Sequence, residues 1–276
     1  GERAIDIYTG DSTDFTSIKQ VLDRVSEHTV KGSETYTIFE DDFMQLIESE
    51  ERGVDFPFDL NIIKDNLPGM SRGNLGIIFA RPETGKTTFC AHLCASYIKL
   101  RIIQSYYKLT KQEMVNDKSV INEKYVRDIK PYLTIVDSVG SSVEELDQYC
   151  KLCDPDIVFA DQLDKFRVNG DFGRGDERLK EIYIKAREIA KRNDLLFWAV
   201  SQANYEAHNR MNIDYSMMDN SRTGKAGEAD VIIGIGRTGD VDDDNYMRYL
   251  CVSKNKINGY HGMINANIDV QRGFYY

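Results

Sequence analysis

The stretch Ala80–Thr87, Ala-Arg-Pro-Glu-Thr-Gly-Lys-Thr, has the residue types and spacing of a phosphate cradle. An apolar run stops at Ala80, and a tight loop of Arg81, Pro82, Glu83 and Thr84 leads through Gly85 into a helix. In such a loop, backbone N–H groups and a helix N-terminus point at phosphate oxygens, a Lys reaches the outer phosphates, and a Thr hydroxyl holds Mg²⁺. Gly85 allows close backbone approach, Lys86 supplies the ammonium, Thr87 supplies the hydroxyl, and Thr88 follows on the same turn. Ala80 stands where the pattern asks for Gly, which is tolerable if that residue keeps a negative φ. The metal also needs a carboxylate at the end of a neighbouring strand. Asp161, closing Asp-Ile-Val-Phe-Ala-Asp at 156–161, is placed for it, although a turn Asp would look the same. Gln202 ends another apolar run, Trp-Ala-Val-Ser-Gln; its neutral amide can sense a terminal phosphate or orient water, but a strand-end Gln alone would be unremarkable.

These residues need a scaffold of alternating strands and helices. Leu75–Phe79 predicts a buried strand, and Lys86–Lys99 a helix carrying Phe89, Leu93 and Ile98. Leu133–Val136 predicts another strand, followed by a helix announced by the capping box Ser142-Val-Glu-Glu145. After the strand at 156–161, Leu179, Ile182, Ala186, Ile189 and Ala190 fall on one face of a long helix. The runs at 195–202 and 230–237 are too continuously apolar to have a wet face. The fold class is therefore α/β: a mainly parallel sheet covered by helices on both sides. The alternating segments at 246–256 and 263–270, joined through Asn258-Gly259, predict a C-terminal hairpin.

Residues 1–65 read as a separate N-terminal helical region, with candidate helices at Thr16–Ser26 and Glu40–Arg52 and apolar positions Phe39, Phe43, Leu46 and Ile47; the main domain is expected over 66–276. At Leu100/Arg101 a helix runs straight into helix-like sequence without a second strand, so the junction reads as a gap.

Composition narrows the class. The chain of 276 residues carries a net charge of −10, which argues against a surface generally adhesive for nucleic acid and leaves only a local basic strip for that purpose. No apolar run is long enough for a membrane span and the first residues lack signal-peptide character, so an intracellular, soluble protein is expected. The five cysteines, Cys90, Cys94, Cys150, Cys153 and Cys251, form no evenly spaced framework and no recognisable zinc set, and are expected to be reduced, packed thiols.

From Leu67 onward the segments together resemble the hexameric replicative DNA helicases of the DnaB type, phage helicases included, which are built on a RecA-like P-loop NTPase core. Ala-Arg-Pro commonly opens the phosphate loop in that family, so Ala80 fits. Ile-Val-Phe-Ala-Asp-Gln-Leu-Asp-Lys-Phe at 157–166 is similar to the second nucleotide motif, and Gln202 stands at the phosphate-sensing Gln. Ser221–Arg237 is similar to the fourth motif, whose preceding loop faces the central channel and whose end carries Arg237 to the nucleotide. Val252–Gly262 resembles the element that reaches into the neighbour's site. The resemblance implies ATP or another NTP with Mg²⁺, single-stranded DNA, a homo-oligomeric and hexameric ring, replisome partners such as a primase, and a cytoplasmic location, the host's if phage-encoded. It gives Lys254 and Lys256 the role of a trans-acting finger, where the family has a Lys and then an Arg. The catalytic Glu of the family has no counterpart here and would fall at the Leu100/Arg101 junction. In the loop Asn220–Gly227, Arg222 and Lys225 are expected to contact DNA phosphates, a reading that the residues alone balance evenly against a solvated turn. Two other classes stay open: a RecA-like strand-exchange recombinase, and a nucleotide-binding ring subunit of weak turnover.

Overall fold

The computed structural model describes residues 54–58, 61–94, 107–116, 123, 127, 133–136, 138, 140–219, 222–239 and 246–276, the side chains of residues 61, 62, 94, 111, 115, 222 and 223 excepted. The helices expected at Thr16–Ser26 and Glu40–Arg52, and the Leu100/Arg101 junction, lie outside the described residues. Val54–Tyr276 forms one compact unit, which begins ahead of the boundary expected at 65/66. It opens with a small antiparallel pair, β1 (Phe56–Pro57) and β2 (Gly69–Met70), around the short helix α1 (Asn61–Lys64).

A seven-stranded sheet carries the site, with its described strands in the order β4-β5-β3-β6-β7-β8-β9. Strands β3 (Leu75–Ala80), β4 (Ile157–Ala160), β5 (Leu196–Gln202) and β6 (Val231–Gly236) pair in parallel. The sheet continues through the antiparallel strands β7 (Met247–Asn255), β8 (Gly262–Asp269) and β9 (Phe274–Tyr275). The expected C-terminal hairpin is thus the antiparallel wing of one mixed sheet.

Both faces of β3 are covered, as its unbroken apolar sequence requires. Leu75, Ile77 and Phe79 enter one core with α4 (Val143–Cys153) and α5 (Gly175–Arg192), whose buried stripe is Leu179, Ile182, Tyr183, Ala186, Ile189 and Ala190. Ile78 and Ala80 face the second core, where Phe89 and Cys90 of α2 (Lys86–Cys94) meet Ile63 and Trp198. Each fully buried Ile or Phe contributes about 1.5–3 kcal/mol here. Gly76 lies opposite Trp198 across the β3–β5 ladder, and a Cβ on it would collide with the indole ring, so the tryptophan lies flat only over a glycine. The helix α3 (Lys111–Asn116) is held at its start by reciprocal Thr110 and Glu113 bonds, and α4 starts at the expected capping box of Ser142 and Glu145.

One predicted element is corrected. Leu133–Val136 takes no ladder partner among the described residues, and Ile135 and Val136 stay exposed. An apolar run becomes a strand only where a neighbour supplies hydrogen bonds; this one instead lines a groove of about 460 Å³ with α4 and the outer edge of β4.

Candidate functional site

The parallel strands β3, β4, β5 and β6 all finish at one end of the sheet. Ala80 closes β3 fully buried, and its register partner across the ladder is Gln202, the last residue of β5. The loop that follows turns through Glu83 at φ 60° and Gly85 at φ 108° before Lys86 starts α2. Gly85 is required twice over: by its left-handed backbone, and because a Cβ would stand 2.7 Å from Tyr275 Oη and 2.9 Å from Ile268 Cδ1.

The loop is fixed from beneath by the antiparallel wing. Arg248 Nε of β7 donates to Thr84 O at 2.7 Å, and Tyr275 Oη of β9 donates to Gly85 O at 3.3 Å. The Tyr275 ring meets Phe89 edge-on at 5.2 Å, while Thr84 and Thr88 are buried. Lys86 Nζ lies inside the loop's arc, donating to Ala80 O at 2.8 Å and Arg81 O at 3.0 Å. Carbonyl oxygens orient this ammonium without cancelling its charge, and the N-terminus of α2 adds the positive end of its helix dipole.

Asp161 follows the end of β4. Burial pushes the Lys86 ammonium below its ordinary range and the Asp161 carboxyl above its own, and the attraction between the two groups opposes both shifts, so Lys86 and Asp161 sense each other. This fits a magnesium nucleotide. The Thr87 hydroxyl and the Asp161 carboxylate are hard oxygen donors of the kind Mg²⁺ takes, and Lys86 with the loop backbone suits the phosphates.

On the other flank Arg237, just past β6, joins Arg81, Pro82, Glu83 and Thr84 around a cleft of about 200 Å³. The structure thereby brings Arg237 beside the phosphate loop and adds two residues that the sequence did not flag, His208 and Asn209. Arg81 Nη1 donates to Ala203 O at 3.2 Å, tying the loop to the residue after Gln202.

Lys254 and Lys256 are somewhere else. Lys254 pairs in register with Ile232 at the start of β6, and Lys256 Nζ stands 3.6 Å from Asp230, the carboxylate that accepts from Leu75 N at the start of β3. Five residue steps of strand, about 16 Å, separate that end from Ala80. Lys254 Nζ donates to Ala226 O and, at 3.4 Å, to Gly227 O. Burial and the neighbouring Lys256 lower its pKa from the ordinary value.

The DNA-contact expectation for Lys225 is corrected. The expected basic loop is a helix, α6 (Arg222–Glu228), and Lys225 turns inward, wholly buried. Its ammonium is consumed by Asp164 Oδ2 at 2.9 Å, Ser201 Oγ at 3.1 Å and Asp219 O at 2.6 Å. A charge so buried persists only when fully partnered, and one with three internal acceptors has nothing left for a phosphate. Asn220, Ser221 and the side chain of Arg222 lie outside the described residues.

Four supporting residues were missed by sequence reasoning: Arg248, Tyr275, Asp164 and Ser201. Arg248 left a signal, being a charge on the same strand face as Leu250 and Val252, both core residues. Cys90, Cys150 and Cys251 are buried free thiols and Cys153 is exposed. Among the described residues no helix is long and apolar enough to cross a membrane.

No protein-family model and no curated protein matches the chain. Solved structures do share its fold. One, described as an ATPase domain, superposes with a TM-score of 0.70 at 17% identity, covering 85% of this chain and 97% of that one. Another, of a DnaB-like replicative helicase and its interactions with primase, gives a TM-score of 0.70 at 16% identity and covers 94% of this chain and 70% of that one. The chain therefore has the RecA-like α/β fold expected from its motifs.

Proposed function

We propose that this chain is the ATP-driven motor of a replicative DNA helicase, working as a ring, with six subunits expected, around single-stranded DNA. The observation that carries the reading is the division of the site. Lys86, Thr87, Asp161, Gln202 and Arg237 gather at one end of the sheet, while the basic pair Lys254 and Lys256 lies at the other, too far to serve its own nucleotide. A ring of identical subunits, each offering one end to its neighbour's opposite end, completes every site by a heterologous contact that closes on itself. The two structures of like fold, named for an ATPase domain and a DnaB-like replicative helicase, support the same reading.

In this mechanism Lys86 and the α2 N-terminus bind the β and γ phosphates and offset the charge that develops on the transferring group. Thr87 and Asp161 hold Mg²⁺, which adds its own charge neutralisation when bound. Gln202 pairs in register with Ala80, which supports a role in registering a γ-phosphate above the loop and passing its loss to residues 203–219. Lys254 and Lys256 present positive charge to the adjacent subunit. An ammonium lacks the planar fork of an Arg, so the stabilisation it offers is less directional. Residues 1–65 act as the subunit-gripping region and 66–276 as the motor. A primase is a candidate partner by analogy with the DnaB-like structure's title, and the cytoplasm, the host's if phage-encoded, is the expected compartment.

The test is ATP hydrolysis by the full chain with and without single-stranded DNA, run beside unwinding of a tailed duplex. Turnover stimulated by DNA, with unwinding, is expected. Strand pairing without unwinding would make the protein a recombinase, and nucleotide binding without turnover would make it a passive ring subunit.

A further inference from the structure

The buried ammonium of Lys225 has a full set of partners, and each comes from a different working part. Asp164 belongs to the 3₁₀ turn Leu163–Lys165, shortly after Asp161. Ser201 immediately precedes Gln202, and its Oγ donates to Asp164 Oδ2 at 2.7 Å. Asp219, whose carbonyl accepts from Lys225, donates its own N–H to Gln202 O at 2.8 Å. Tyr183 of α5 donates to Asp164 Oδ1 at 2.9 Å, and its ring centroid lies 5.6 Å from the Lys225 ammonium. The result is a closed circuit: Gln202 to Asp219, Asp219 to Lys225, Lys225 to Asp164, and Asp164 to Ser201 beside Gln202.

Such a pair is an inefficient way to stabilise a core. Apolar side chains of similar volume generally do as well or better, so what a buried ion pair specifies is an arrangement. The arrangement specified here joins the ends of β4 and β5, which face the nucleotide, to α6. We propose that Lys225 and Asp164 are positioning residues that couple occupancy of the nucleotide site to the orientation of α6, and hence to DNA binding; this rests on the motor reading above. When the end of β5 shifts, Ser201 and the 203–219 segment move against Asp164, and the ammonium can keep all its acceptors only if α6 moves with them. Two discrete arrangements of one fully bonded circuit are the kind of two-state element that allosteric coupling needs. Burial pushes the Lys225 pKa down while Asp164 pulls it back up.

Coupling is measurable without turnover. Binding of fluorescent oligo-dT to the full chain is titrated with and without a non-hydrolysable ATP analogue and Mg²⁺, and the ratio of the two dissociation constants is the coupling. The wild type should give a ratio of about tenfold or more. The double variant Lys225→Met with Asp164→Asn removes both charges at nearly constant volume. It should fold by circular dichroism and bind the analogue within about twofold of wild type, while the DNA ratio collapses to below about twofold. A ratio unchanged from wild type would overturn the proposal and leave the pair a structural ion pair. If the double variant does not fold, Ser201→Ala decides. It keeps the ion pair and cuts the link beside Gln202, and should lower the ratio roughly threefold or more; no change overturns the proposal. A wild-type protein that binds both ligands with a ratio near one also sinks it while sparing the motor reading. Wild type that binds neither ligand sinks the motor reading itself.

Discussion

Where β3 finishes, Lys86 donates to the carbonyl oxygens of Ala80 and Arg81; where β3 begins, Arg187 and Lys256 both close on the buried carboxylate of Asp230. The same sheet thus treats cations in two ways. Carbonyl partners orient an ammonium and leave its charge intact, so the first end keeps a net attraction for an anion beside a helix N-terminus. A carboxylate partner cancels one charge, so of the two cations on Asp230 one remains in excess, and the cluster fastens the bottom of β3, β6 and α5 together, with Asp230 accepting from Leu75 N at 3.0 Å and Arg187 also donating to Glu228 O at 3.1 Å. The partners tell the cations apart: Lys86 is held by carbonyl oxygens, Arg187 is matched to a carboxylate, and the half-exposed Lys256 shares that carboxylate at 3.6 Å.

Lys86→Ala is the strongest attack on this contrast. Removing a cation aimed at the transferring phosphate should lower turnover by about a thousandfold and leave the melting temperature within about a degree or two of wild type, as read by phosphate release and calorimetry. Retained turnover would move the phosphate site away from this loop. The opposite end should respond in stability instead of rate. Asp230→Ala strands two cations and a buried N–H, and is expected to lower stability by about 3 kcal/mol in urea unfolding; a loss under about 1 kcal/mol would make the cluster a solvated surface pair. The mildest test is Lys254→Ala, which removes contacts to the last carbonyls of α6. Stability should fall by only about 0.5 kcal/mol, whereas turnover read by phosphate release from the full chain should drop severalfold. A loss near that of Asp230→Ala would assign Lys254 to the structural end alone.

The phosphate-loop end was the more legible of the two because its signals are local. Gly85, Lys86 and Thr87 are adjacent in sequence, and Asp161 and Gln202 each close a continuous apolar run, so strand, loop and helix can be read from one window apiece. The helices were equally readable where a period or a cap was present, as in the stripe of α5 and the capping box of α4. What failed was whatever depends on a partner far along the chain. Leu133–Val136 has the residues of a strand but no neighbour to pair with among the described residues. Lys225 sits among glycines and polar residues, the composition of a solvated loop, and only the folded chain reveals that Asp164, Ser201 and the Asp219 carbonyl converge on it. Arg248, a charge on a core face, shows that it is buried but not what it holds, and Tyr275 shows neither, because hydrogen bonds to the backbone of Thr84 and Gly85 leave no mark in the sequence of those two residues.

The clamp of Tyr275 on Gly85 spans 190 residues, which gives it a meaning during synthesis. On the ribosome the phosphate loop is translated well before β9, and the strand that supports it arrives only after every other described strand of the sheet. Until β9 emerges, the turn at Gly85 lacks its floor and Phe89 lacks its aromatic partner. A nascent or truncated chain ending before β9 should therefore carry the whole nucleotide motif and still be a poor nucleotide binder. Phosphate binding at the loop should then appear only once β9 has docked, whichever of the other described strands has already paired.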